Sequence, residues 1–307
     1  MECGADMCVQ SIHKTAGALG QSSMLHAGRK LCEVFRTKDS VNLYENPVIS
    51  NIEASLKTVQ STSPSYLLMS SLDAARRQLA LNADRMAENA LRLAGAARSR
   101  INSIPGIICA GTELTGTCGV FAQDLTRLMI SACSIGIGGY ELKRMLFEDF
   151  DIDVEMADER SILALVSYAN TEEDTDALCS ALECIAKDRA FIYENTDPQR
   201  GLNTLQDADK VRSSHIPLPT VPEQVLTPRQ AFFAKKKRIP WKECAGMISA
   251  EIIAPYPPGI PVLCPGERIS REILDYVGAV LAGKGHMQGP SDPELNTVLT
   301  AEDPLLR

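Results

Sequence analysis

The sequence predicts an α/β protein, and three observations carry that reading. From Ser63 to about Ala97, apolar residues recur at a helical period. From Gly106 to Arg189, short aliphatic runs alternate with amphipathic ones. Between about Glu194 and Pro228 the chain then turns polar and proline-bearing, as a linker or crossing loop does.

The elements follow in order. In the first stretch Ser63 can cap and Pro64 fits the first helical position. Leu67, Leu68, Leu72, Ala75 and Leu79 follow the helical period, and Ile104-Pro105-Gly106 ends it. One long helix, or two with a bend, satisfies the pattern. "GIICAG" (106–111) and "DLTRLMISA" (124–132) read as strands, and "GGYELKRMLFEDF" (138–150) as a helix opened by glycines. A strand centred on Leu163 to Val166 precedes a helix started by Thr171. "AKKKR" (234–238) reads as a solvated helix end rather than a nuclear signal. Five prolines fall within Pro255 to Pro265, which makes that stretch neither helix nor central strand. It is a stiff loop flanked by Glu251 and Glu267, able to present a carboxylate or simply to cross the surface.

Composition narrows the function classes. At 307 residues the chain is long enough for two domains and a sizeable core. A net charge of −8 argues against nucleic acid or an anionic membrane as the main partner. No apolar run approaches the roughly 20 residues of a membrane span, and "MECGADMCVQ" lacks a secretory layout. The ten cysteines include no Cys-x-x-Cys pair, and the four histidines are not paired at helical spacing, so no metal site is expected. A cytoplasmic protein with reduced thiols is the expectation.

The chemistry centres on "VQSIHKTAGALGQSSMLH", Val9 to His26. Lys14 stands among Ser11, Ile12, His13, Thr15 and small residues, a setting that suits a partly buried pocket. Burial disfavours an ammonium, and a lysine tuned that way serves as a nucleophile towards a carbonyl cofactor. An ordinary lysine in a short chance pattern fits the same four residues.

Taken together, "GADMCVQSIHKTAGALGQSSMLH", "STSPSYLLMSSLDAAR", "LTPRQAFFAKKKRIPWKECAGMISAE" and "APYPPGIPVLCPGERIS" resemble the pyridoxal-phosphate-dependent ornithine/lysine/arginine decarboxylases, the compact bacterial type in particular. The resemblance implies decarboxylation of a basic amino acid, arginine before lysine or ornithine, in polyamine metabolism. It implies that Lys14 carries pyridoxal 5′-phosphate as a Schiff base, that Ser11 helps to anchor the phosphate, and that His13 lies at the cofactor. Ser61, Thr62 and Ser63 match a stretch that approaches a neighbouring subunit's phosphate in a homodimer or higher oligomer. Glu267 matches a carboxylate near the substrate's distal cation, with Glu251 as second choice. Ile12 stands where the family usually has threonine.

The implied fold is the C-terminal part of an aminotransferase-like large domain (1–98 with the long exit helix), a small α/β domain (99–205), and a C-terminal domain with the proline loop (206–307). Family members carry roughly two hundred residues before this lysine, including most of the cofactor pocket. The expectation is therefore a C-terminal portion, inactive alone, that acts with the missing half or as partner of a full-length subunit.

Overall fold

The computed structural model describes residues 4–28, 31, 46–117, 119–195, 217–256, 259–283 and 285–302. They form two compact units, Met1–Asn89 and Ala90–Arg307. The boundary expected after residue 98 falls inside a helix, and the second unit holds both later expected domains.

The first unit opens with a two-stranded antiparallel ribbon, β1 (Met7–Gln10) and β2 (Met24–Ala27), paired from Met7↔Ala27 to Gln10↔Met24. Between them lies a single turn of helix, α1 (Ile12–Thr15). Helix α2 (Pro47–Val59) is capped by Asn46, whose side chain accepts from Val48 N at 2.9 Å, with Pro47 in the first turn. Neither the ribbon nor α2 figured among the sequence expectations.

Helix α3 (Tyr66–Ile101) is one unbroken element of 36 residues. It begins later than expected. Ser65, not Ser63, sits at its start, with its carbonyl accepting from Met69 N at 3.1 Å, and Pro64 lies outside the helix. Near its start Leu72 and Ala75 pack with Ile12, Ala18 and Met24, a small apolar cluster that supports α1.

In the second unit, β3 (Ile108–Cys109), β4 (Arg127–Ser131), β5 (Met156–Ala157) and β6 (Ile162–Leu165) form an antiparallel sheet in the order β3-β4-β6-β5. Leu128 pairs with Ala164 and Ile130 with Ile162, so the alternate residues of β4 and β6 share one buried face. Leu93, Ala97 and Ile101 of α3 join that core, with Leu142 and Leu146 of α4 (Gly139–Phe150) and Leu178, Leu182 and Ile185 of α5 (Glu172–Asn195). Thr171 and Asp174 cap α5 reciprocally, Thr171 N donating to Asp174 Oδ2 at 2.8 Å.

Beyond the linker come α6 (Pro228–Phe233), β7 (Lys236–Pro240), β8 (Ile248–Ser249), β9 (Ala254–Tyr256), α7 (Arg271–Ala282), β10 (His286–Gln288) and β11 (Thr297–Ala301). The sheet order is β7-β11-β8, and β9 pairs with β10. Trp241, Ile253, Ile273, Val277 and Val298 belong to the second core, and Tyr140 of α4 packs against both cores.

One expectation needs correction here. The basic run is not a helix end: Lys236, Lys237 and Arg238 lie in β7, an edge strand whose exposed charges discourage further strand pairing. The proline stretch agrees with the expectation of no helix and no central strand: Pro255 sits in a two-stranded ribbon, where a missing donor can face outward. Part of the expected linker is also tied down, with Val225 N donating to Gly266 O at 2.9 Å and Arg268 N to Glu223 O at 2.9 Å.

Candidate active site

The turn that carries Lys14 is built from backbone bonds and one buried side chain. Ile12 is buried against the Ala18 and Ala75 side, which anchors α1 and gives a physical role to the residue that departs from the family pattern. Lys14 N donates to Ser11 O at 3.2 Å, and Leu19 N donates to Ser71 Oγ of α3 at 3.2 Å.

His13 is half-buried and held twice by one residue. Its backbone N donates to Ser22 O at 3.3 Å, and its ring Nδ1 lies 2.9 Å from the same carbonyl oxygen. Ser22 is only 2% exposed, and its Oγ has no hydrogen-bond partner among the described residues. His26 Nε2 on β2 is likewise buried without a partner there.

Lys14 itself is exposed, as are Ser11 and Thr15. The partly buried pocket expected from its small neighbours is therefore not present among the described residues. Small residues leave room around a lysine, but cover must come from other elements. Ser61, Thr62 and Ser63 lie in the exposed connection between α2 and α3, where Ser63 N donates to Ser61 Oγ at 3.1 Å. No hydrogen bond among the described residues joins them to the Lys14 turn.

The two candidate carboxylates belong to the second unit. Glu267 is half-buried, and its Oε2 accepts from Cys264 N at 2.6 Å, closing the turn at the end of the proline loop. Burial and the Glu267 charge push the Cys264 thiol up. The glycine of "PGE" is required here: Gly266 has φ +93°, and a Cβ would run into the Leu226 carbonyl. Glu251 is 8% exposed, with Oε1 accepting from Ser291 N at 2.9 Å and Oε2 from Leu299 N at 2.8 Å. Both of its oxygens are thus engaged by backbone, which suits a structural anchor better than a substrate contact.

Sequence reasoning missed Gln21 and Ser22. The one available signal was "GQ" at a turn, and it said nothing of where the following carbonyl would point. A cleft of about 560 Å³ involves Leu218, Thr220, Glu272, Asp275 and Tyr276, and none of the expected site residues lines it. Among the described residues no cluster of histidine, cysteine or carboxylate side chains could hold a metal ion.

The site can be tested for pyridoxal 5′-phosphate. Lys14 offers an accessible primary amine, Ser11 an exposed hydroxyl one turn away, and His13 a ring fixed beside them. These fit the attachment end of the cofactor. Asp6 is the single carboxylate among residues 4–28, so an acid for the ring nitrogen has to come from elsewhere.

Comparison with known proteins bears on this arrangement. Residues 3–122 match the family model described as Orn/Lys/Arg decarboxylase, major domain, and residues 213–293 the one described as its C-terminal domain. The chain is 36% identical over 298 residues to the arginine decarboxylase of Bacillus subtilis (strain 168), covering 97% of this chain and 55% of that protein. It is 34% identical over 298 residues to the arginine decarboxylase of Bacillus anthracis, covering 97% and 54%. The constitutive lysine decarboxylase of Escherichia coli (strain K12) matches at 36% over 77 residues, 23% of this chain and 11% of that one. The chain spans about half the length of the curated relatives it matches across most of its own.

Among solved structures, the Francisella novicida lysine decarboxylase superposes with a TM-score of 0.66 at 22% identity, covering 96% of this chain and 48% of that one. The E. coli constitutive lysine decarboxylase gives 0.68 at 19%, covering 96% and 49%. At these identities the likeness concerns the fold, and it places the chain in the α/β class.

Proposed function

We propose, for a chain that belongs to the Orn/Lys/Arg decarboxylase family, that Lys14 is the attachment point in a site that removes the carboxyl group of a basic amino acid. Arginine is the first candidate substrate, because the relatives matched along nearly the whole chain are named arginine decarboxylases. The single observation that carries the reading is the Lys14 turn, an accessible amine on one turn of helix beside a ring clamped to Ser22.

Pyridoxal 5′-phosphate, when bound, supplies an electron sink for the charge left by the departing carboxyl group. The chain's own residues have narrower tasks. Lys14 is the amine that holds the cofactor and yields to the substrate. Ser11, with Ser61, Thr62 and Ser63, provides hydroxyls for the phosphate. His13 contributes a ring fixed at Nδ1. Glu267 keeps Oε1 without a bond among the described residues, and it is the carboxylate we assign to the substrate's distal cation. We place residues 1–98 in an aminotransferase-like large domain, and the protein in polyamine formation in the cytoplasm as a homodimer or larger oligomer. The seven described cysteines are free, which suits that compartment. No helix among the described residues is long and apolar enough to cross a membrane.

A second reading has its own support. Lys14 is exposed, and among the described residues the apolar cluster beneath its turn has Ile12, Ala18 and Ala75 as its buried members. On that basis the chain acts as a subunit that contributes Lys14 to a site completed by another polypeptide, and is inactive alone.

The experiment is borohydride reduction with pyridoxal 5′-phosphate, followed by peptide mass spectrometry and carbon dioxide release from arginine, lysine and ornithine. It is run on the chain alone and mixed with a full-length decarboxylase subunit. Pyridoxyl label on Lys14, lost in Lys14→Ala, is expected. Activity of the chain alone supports the first reading, and activity of the mixture above that of the full-length subunit alone, lost with Lys14→Ala, the second. Label on another lysine would overturn both.

A further inference from the structure

The residue after the lysine turn that does most for its geometry is Ser22, and it acts through its backbone. Ser22 N donates to Leu19 O at 3.2 Å, closing a turn with Gly20 and Gln21 at its centre. Gln21 has φ 73°, the left-handed conformation that the third position of such a turn reserves for glycine or asparagine. A non-glycine residue held there is a mark of local constraint. Next to Gln21, the Ser22 carbonyl oxygen receives both His13 N and His13 Nδ1.

A carbonyl oxygen only accepts, so His13 Nδ1 must carry the proton. The tautomer of a histidine is set by the bond its other nitrogen makes. In the neutral ring Nε2 is then an acceptor, the reverse of a free imidazole, which carries its proton mainly on Nε2. We infer that Ser22, with Gln21, is a positioning residue for His13: it fixes the ring as the Nδ1–H tautomer, so that Nε2 offers a lone pair. What Nε2 meets, substrate or cofactor, rests on the function proposed above, while the tautomer does not. His13 becomes an acceptor in the site rather than a donor.

The test is nitrogen-15 NMR of the full chain labelled at histidine, with His13 assigned by its loss in His13→Gln. The expected result is that Nδ1–H predominates over Nε2–H, with the ratio shifted about tenfold towards Nδ1–H from that of a free histidine side chain, the factor supplied by one net hydrogen bond. Gln21→Val places a β-branched residue at positive φ and should reduce the excess several-fold. Gln21→Asn and Gln21→Gly, which tolerate that conformation, should keep it. A wild-type ring with its proton mainly on Nε2 would overturn the inference. So would a folded Gln21→Val chain with an unchanged excess. Should Gln21→Val not fold, the wild-type tautomer still decides. An Nδ1–H excess without borohydride label at Lys14 would sustain the inference and remove the proposed function instead.

Discussion

Glu251 and Leu299 are joined by a carboxylate-to-backbone bond of 2.8 Å that ties the bend after β8 to β11. With Ser291 N on the other oxygen, this buried side chain satisfies two main-chain donors at once. Glu251→Gln is nearly the same size but turns an amide N–H towards one of them. It should lower stability by about 1–3 kcal/mol. The measurement is a urea midpoint shift with the slope unchanged. An unaltered midpoint would return Glu251 to the list of substrate contacts.

Gly139 opens α4 where a Cβ would strike the carbonyls of Ser161 and Asp158. Gly139→Ala should therefore cost about 1–3 kcal/mol through overpacking. Gly95, half-buried in the last third of α3, has nothing within reach of a Cβ. Gly95→Ala should instead stabilise by about 0.5–1 kcal/mol. Thermal unfolding of the two variants should move in opposite directions.

Arg100 of α3 binds Glu183 of α5 at 2.8 Å and Asp176 at 3.0 Å. The Arg100 hydrogen bond holds the Glu183 carboxyl below its ordinary value. A carboxylate lowered in the folded state binds fewer protons there than in the unfolded chain. Its contribution is therefore present above about pH 4.3, the unfolded value, and is lost as the pH falls through the folded one. Stability measured from pH 7 to pH 3 should fall less steeply in Glu183→Gln than in wild type. Parallel curves would show that the pair contributes nothing.

The helix periods of α3, α4 and α5 were legible in the sequence because their apolar stripes are long. So was the alternation of Leu128 and Ile130 in β4. The β1–β2 ribbon was not, because four-residue strands with mostly exposed faces have no stripe to read. The misreading of Lys236 to Arg238 has a non-local cause, since pairing with β11 depends on residues more than sixty positions away. Lys14 could be picked out by type and spacing, but its exposure is decided by what packs over it. Gln21 and Ser22 were invisible because a carbonyl's direction leaves no mark on side-chain identity.

The first unit carries apolar side chains that its own core does not take up. Leu67 is 76% exposed and Leu81 70%. Such surface favours association. Leu67→Glu with Leu81→Glu should reduce the sedimentation-average mass of the chain at micromolar concentration and leave its helical signal intact. Identical sedimentation would mean that the α3 face takes no part in self-association.

Strand β11 lies between β7 and β8, yet it follows both in the chain. During synthesis β7 and β8 must wait, unpaired, until Thr297–Ala301 has left the ribosome. The β3-β4-β6-β5 sheet has all its strands by residue 165 and needs no such delay. Maturation therefore proceeds in two stages, with the lysines of β7 guarding an open edge in the interval. Removal of Thr297–Ala301 would leave the first sheet whole and take away the centre of the second, so the loss of five residues would act as the loss of a sheet.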